Sequence, residues 1–215
     1  MAMRIAPPEA GGPLAPGGDL LAALAGACAQ PAEGLVFSGR SAPGAQAAQA
    51  EFFGCRFSGC RLTGAQLSNS YFRDCVFERC ELSGARFADA ALHRCRFEQC
   101  KMEGAVFAGA SLRDVALHAC EAAGAVFAEA SVRAVLFDGV RLCEASLGAL
   151  RARGAWRLHA CDLTGADLLG TSLAGQDLTE CEIAGVRLAG GEVRGAVVTP
   201  AQACELAKLL GVVIR

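Results

Sequence analysis

EFFGCRFSGCRLTGAQLSNS, residues 51–70, is followed by four looser copies of itself: YFRDCVFERCELSGARFADA (71–90), ALHRCRFEQCKMEGAVFAGA (91–110), SLRDVALHACEAAGAVFAEA (111–130) and SVRAVLFDGVRLCEASLGAL (131–150). Self-similarity at a fixed period is the mark of a repeat architecture. Inside each block runs a finer period of five. Its large apolar centres are Phe52, Phe57, Leu62, Leu67, Phe72, Phe77 and every fifth residue onward to Leu147, with Ala122 alone small. Two positions ahead of each centre stands a slim residue, such as Ala50, Cys55, Cys60, Ala65, Ser70 or Cys75.

A period of five is not helical. At about 100° per residue, every fifth residue advances by roughly 140°, which smears the large groups around a helix. In extended chain, residues two apart point the same way, so slim residue and centre share one inward face. The second residue after the centre is often glycine, as at Gly54, Gly59, Gly64, Gly84 and Gly104. A corner with φ > 0 suits glycine. Each pentapeptide is therefore one short side plus one corner. Cys55, Cys75 and Cys95 recur every 20 residues, as do Cys60, Cys80, Cys100 and Cys120. That period, taken in fives, makes four sides per coil. Equivalent residues then stack about 4.8 Å apart. The expected fold is an all-β solenoid with four pentapeptides per coil, a core of Phe, Leu, Cys and Ala columns, and capping helices at its ends. A three-sided solenoid of six-residue repeats does not fit the count.

Ala166-Asp167-Leu168-Leu169-Gly170 matches the pattern A(D/N)LxG, and Cys161-Asp162-Leu163-Thr164-Gly165 comes close to it. In these residues the chain resembles the pentapeptide repeat proteins, over roughly residues 51–198. The resemblance implies a right-handed quadrilateral β-helix. It says little about function, because solenoids are general binding scaffolds.

Three regions are expected. Residues 1–33 read as a flexible N-terminus: 1–18 are rich in Pro, Gly and Ala, and Asp19 caps a short helix, DLLAALAGACA, that covers the first coil. Residues 34–198 are the β-helix, with a ragged start in which Phe37 fits the period but Ala42 and Ala47 are small. Ala152 continues the register as an inward residue with Leu150, whereas the next clear centres are Leu158 and Leu163. One residue is therefore inserted near Arg153-Gly154-Ala155, within a break at 148–160. It is either a tolerated bulge or a projecting loop that carries binding; Trp156, at an inward position, favours the bulge. Residues 199–215 read as a helix and a strand, with Thr199 as N-cap, Pro200 at N1, Gly211 at C′ and Val212-Val213-Ile214 extended. This ending reads as a cap over the last coil. It also resembles that of the quinolone-resistance, gyrase-protecting pentapeptide proteins, and the resemblance implies a two-fold dimer through it. Leu206, Leu209, Leu210, Val212 and Ile214 are the candidate dimerisation residues.

The 215 residues carry a net charge of −2 and 53% hydrophobic side chains. No apolar run is long enough to span a membrane, and the N-terminus has no apolar stretch of signal-peptide type. Nine of the 12 cysteines take slim inward positions and no CxxC occurs. They read as reduced core filler in a cytoplasmic protein, with solvent reactivity expected at terminal or outward thiols such as Cys143. His93, His118 and His159 each follow a centre and point outward. No catalytic constellation, metal site or cofactor site is expected, and the chain reads as a non-enzyme.

Two functions remain. One is a protein-binding scaffold. The other, implied by the resemblance, is DNA gyrase or topoisomerase interaction through an acidic rod shaped like duplex DNA. Residues 51–160 hold 14 basic against 12 acidic side chains. Only residues 161–195 are acidic, with six carboxylates against Arg187 and Arg194. The expected partner is a protein, with no membrane and no direct nucleic-acid contact. The candidate partner-binding residues follow the centres of one side, Arg73, His93, Arg113, Arg133 and Arg153, which a four-sided coil would stack into one cationic column.

Overall fold

The computed structural model describes residues 5–9, 14–209 and 211–213. The chain winds as a four-sided parallel β-solenoid of about 7 turns. The long period of the sequence is seen directly in the ladder, where Phe52 lies beside Phe72, Phe72 beside Leu92 and Leu92 beside Leu112. Two sides are strands. They open with β1 (Ala15–Pro16), β2 (Ala32–Glu33) and β3 (Leu35–Ser38), and continue as β4 (Glu51–Phe53), β5 (Arg56–Ser58), β6 (Tyr71–Arg73) and β7 (Val76–Glu78). Next come three strands that run around a corner, β8 (Ala91–Glu98), β9 (Ser111–His118) and β10 (Ser131–Asp138), then β11 (Arg151–Ala152) and β12 (Trp156–His159). The other two sides are held by single bridges, such as Arg61 beside Glu81 and Val106 beside Val126. We call the side with centres Phe52, Phe72 and Leu92 the first face and that with Phe57, Phe77 and Phe97 the second.

The corners hold φ > 0 whether or not they are glycine: Arg94 has φ 51° and Ala134 has φ 52°. That conformation costs an L-residue about 1–2 kcal/mol. The cost is accepted because each coil then closes on its neighbour with a full ladder. The core is a stack of rings. Phe57, Phe77 and Phe97 lie parallel with centroids 4.7 and 4.8 Å apart, and Phe87, Phe107 and Phe127 stack at 4.8 and 5.0 Å.

The nine inward cysteines are buried, but they do more than fill space. The Cys75 thiol donates to the carbonyl of Phe52 at 3.4 Å, in the preceding coil, and Cys80 does the same to Phe57 at 3.3 Å. Ser70 uses its hydroxyl identically on Ala47, at 3.0 Å. Burial pushes the Cys75 thiol well above its ordinary pKa. The expected reactivity of Cys143 needs correction. It is only partly open, its Sγ donates to Asp162 Oδ2 at 3.0 Å, and burial and then Asp162 push its pKa up to about 11. The exposed thiols are Cys28 and Cys204.

The N-terminus departs from a loosely attached segment. Ala15 and Pro16 pair with Leu35 and Val36, so the sheet gains a rung before the first full coil. The helix α1 (Leu20–Gly26) is capped by the Asp19 carboxylate on the Leu21 N–H, as its sequence implies. Leu20 and Leu24 enter the same core as Ala42 and Ala47, apolar bulk at the coil whose own centres are small.

At the other end, α2 (Pro200–Leu209) closes the solenoid. Thr199 and Gln202 cap each other: the Thr199 N–H donates to Gln202 Oε1 and the Gln202 N–H to Thr199 Oγ1. Gln202 Nε2 also donates to the carbonyls of Leu178 and Cys181, at 2.7 and 2.8 Å, and so covers the last open ladder edge. Val212 and Val213, expected as strand, are irregular; Leu210 and Ile214 lie outside the described residues. Among the described residues, no helix is long and apolar enough to cross a membrane.

Candidate interaction surfaces

The column on the first face exists in the ladder. Arg73 pairs with His93, His93 with Arg113, and Arg113 with Arg133. Arg153 extends it, its N–H donating to the Val132 carbonyl at 2.8 Å. The charges along it are unequal. Arg73 lies 3.8 Å from Asp74, with its guanidinium 4.5 Å from the centre of the Phe53 ring. Asp114 takes both Arg113, at 3.5 Å, and His93, at 3.7 Å. Burial, then Arg94 and Arg113, lower the His93 pKa. Arg133 and Arg153 have no carboxylate within ion-pair distance among the described residues. The inserted residue sits against the column: a Cβ added at Gly154 would come within 3.0 Å of Arg133 Cγ.

The insertion is placed by the ladder itself. Val132 pairs with Ala152, one full period on, but Val135 pairs with Trp156, one position beyond the period. The extra residue lies between them, and residues 151–155 are all exposed. Ala152, expected inward, is exposed because the chain leaves the core here before Trp156, 5% exposed, re-enters it. After this coil the ladder of the second face is interrupted, with no bridge from Arg157 to Asp177 among the described residues. Regular centres donate their N–H to the backbone of the next coil, as Leu62 does to Glu81 and Leu163 to Glu182. Leu158 donates instead to the Gln176 side chain, at 3.2 Å, and Gln176 Nε2 donates to the Trp156 carbonyl at 2.9 Å. A hollow of about 600 Å³ opens beside it, with Arg157, His159, Asp177 and Glu180 on its walls.

A chain of alternating histidines and carboxylates runs along this edge. His118 Nδ1 and His159 Nδ1 approach Asp138 at 2.8 and 2.6 Å, and His159 Nε2 lies 3.1 Å from Glu180. Asp138, and then Glu180, raise the His159 pKa. The groups form a line instead of converging, and no cluster able to hold a metal ion occurs among the described residues.

The distal carboxylates are occupied. Asp162, Asp167 and Asp177 each accept the N–H two residues on, at 3.0, 3.1 and 3.1 Å. Glu182 accepts from Ile183 and Ala184, and Glu192 from Gly170 and Ala189. The Asp of the repeat motif is thus a turn cap. Of the C-terminal candidates, Leu206 is 8% exposed in the core and so is spent on capping, whereas Leu209 and Val212 are exposed.

Sequence comparison agrees with this geometry. Three family models match: one described as "Pentapeptide repeats (9 copies)" over residues 52–96, "Pentapeptide repeat region" over 90–153, and "Pentapeptide repeats (8 copies)" over 157–191. The chain is a pentapeptide repeat protein. The matches break at residues 154–156, where the pentapeptide repeat register takes its extra residue. No curated protein matches the sequence. Among solved structures, HetL, a pentapeptide repeat protein involved in heterocyst differentiation regulation from the cyanobacterium Nostoc sp. strain PCC 7120, is 22% identical. The alignment covers 78% of each chain with a TM-score of 0.49. QnrB1, a plasmid-mediated fluoroquinolone resistance protein, is 20% identical over 88% of this chain and 92% of its own, with a TM-score of 0.39. At these values neither likeness bears on what this pentapeptide repeat protein does.

Proposed function

We propose that this pentapeptide repeat protein is a non-enzymatic scaffold that docks an acidic protein partner on its first face. Arg113, Arg133 and Arg153 carry the contact, and Arg73 and His93 extend it. The observation behind this reading is the ladder register, which sets one of these residues on each rung and leaves Arg133 and Arg153 without a carboxylate among the described residues. Like charges on adjacent strands are mildly destabilising. A partner's carboxylates relieve that repulsion, and the guanidinium fork suits them bidentately. A topoisomerase-directed role through an acidic rod needs an excess of carboxylates along its length, but residues 51–160 hold 14 basic against 12 acidic side chains. Twelve unbridged thiols fit a reducing compartment, and the cytoplasm is the proposed location.

The double substitution Arg113→Gln/Arg133→Gln tests the docking face. Both side chains are exposed, so the melting temperature should barely move. Partner capture at low salt should fall by about tenfold, with the difference shrinking as salt rises. Capture of the same partners at the same ionic strength would refute the docking role.

The exposed apolar residues Leu209, at the end of α2, and Val212 and Val213 after it support a homodimer through this end. Full-length protein should then sediment as a dimer at micromolar concentration, and a monomer there removes the dimer.

A further inference from the structure

The second face carries apolar side chains on its outside. Its outward positions ahead of the centres are Arg56, Val76, Arg96, Ala116 and Leu136, one per coil. Such positions ordinarily meet water, yet Val76 is 6% and Ala116 9% exposed. The chain's own N-terminus covers them. Ile5, Ala6, Pro7 and Pro8 face Arg96, Ala116 and Leu136 across a hollow of about 220 Å³. Pro7, Pro8 and Glu9 face Arg56, Asp74 and Val76 across a second, of about 140 Å³. The segment therefore lies across the coils from Val76 to Leu136 without filling the space beneath it.

Its polar attachments are few. The Glu9 N–H donates to Asp74 Oδ1 at 2.8 Å, and the Glu9 carboxylate lies 3.7 Å from Arg94. Arg94 in turn grips Asp74 with both arms of its fork, at 2.6 and 2.7 Å. Burial pushes the Asp74 carboxyl up, but Arg94, the Glu9 N–H and Arg73 outweigh it and hold it below its ordinary value. Residues 5–9 join no strand, and paired prolines offer no N–H to a ladder. Two prolines in a row favour the polyproline conformation, so little order is lost on docking.

We infer that the outside of the second face is a peptide-docking groove, held in cis by Ile5–Glu9 and open in trans to a partner segment of the same chemistry. That segment is extended and apolar, carries paired prolines, and ends in a carboxylate. The floor of Val76, Ala116 and Leu136 takes the aliphatic and proline rings. Asp74 takes a backbone N–H and Arg94 the carboxylate. The hollow of about 220 Å³ leaves room for bulkier side chains than Ile5 and Ala6. A short tether keeps the cis segment at a millimolar-scale effective concentration, which masks the groove until the segment is displaced. This groove meets the arginine column of the first face at Asp74, which lies 3.8 Å from Arg73, but its test changes no residue of that column.

The test uses a fluorescent peptide of residues 3–12, MRIAPPEAGG, with the full-length chain and its variant Ile5→Asp/Glu9→Arg. Both substitutions lie outside the core, and a thermal melt checks that the variant folds. Anisotropy should show the variant binding at least tenfold more tightly than the unaltered chain. A peptide with both prolines changed to Asp should bind at least tenfold more weakly. On titration with the first peptide, methyl signals of Val76 and Leu136 in the variant should shift, while that of Val126 on another face should not. Equal binding by both proteins, indifference to the prolines, or shifts confined elsewhere would each overturn the groove.

Discussion

Phe97→Ala is expected to destabilise the solenoid by about 3–5 kcal/mol, the usual range for truncating a buried aromatic. Phe97 is 1% exposed. It stacks on Phe77 at 4.8 Å and meets Phe87 and Phe107 edge-on at 6.4 and 6.2 Å. No neighbour can collapse into the gap, because each ring is itself fixed in a column by the rungs above and below. In a solenoid, each coil contacts only the coils beside it. A cavity in the middle therefore weakens the one interface through which the two halves support each other. For a chain of this size, the melting temperature should fall by roughly 2–4 °C per kcal/mol. Val193, only partly buried at the end of the core, is the control, and Val193→Ala should cost about 1 kcal/mol or less. Urea unfolding of both variants measures the contrast. A loss below about 1 kcal/mol for Phe97→Ala would mean that the columns slide and repack.

The number of sides, the inward columns and the arginine column were all legible, because each follows from a period that survives any single substitution. The place of the inserted residue was legible for the same reason: Leu147 and Leu163 do not fit one register of fives. The fate of Ala152 was not, since its exposure depends on where the chain leaves the core. The charge state of the column was only half legible. Asp74 and Asp114 stand beside it in sequence, but their sharing among Arg73, Arg94, His93 and Arg113 is decided by side-chain geometry. Cys143 misled because its position is outward, whereas its sulfur finds Asp162 in the next coil. Leu206 shares a helix face with residues that could meet a partner, but the solenoid end claims it first. The groove on the second face was half present in the sequence. Val76, Ala116 and Leu136 are apolar at outward positions of the period. What covers them comes from residues 5–9, and no local pattern announces a contact over so long a separation.

Gln176→Leu is expected to cost about 2–5 kcal/mol, although it places an apolar side chain of similar size in an apolar core. Gln176 occupies an inward position that is slim in the regular coils, and it is 2% exposed. In the regular coils, the carbonyl of a slim residue accepts from the backbone of the next coil, as Cys161 does from Glu182. The centre that follows donates to that same coil, as Leu163 does to Glu182. The inserted residue breaks this pattern for one coil. Among the described residues, no bridge joins Arg157 to Asp177, whereas Asp177 resumes pairing with Val197. The Gln176 amide supplies both missing bonds, donating to Trp156 and accepting from Leu158. A side-chain amide has the same donor and acceptor as a peptide group, so it substitutes for one rung of backbone. Leucine there leaves the Leu158 N–H and the Trp156 carbonyl buried without partners, each at about 1–3 kcal/mol. The loss should appear as a lower urea midpoint and as much faster exchange of the Leu158 amide, with amides in the coils before the break unchanged. If Leu158 stays as protected in the variant as in the parent, the backbone can re-form the rung unaided, and the amide at Gln176 is not what holds the solenoid together across its break.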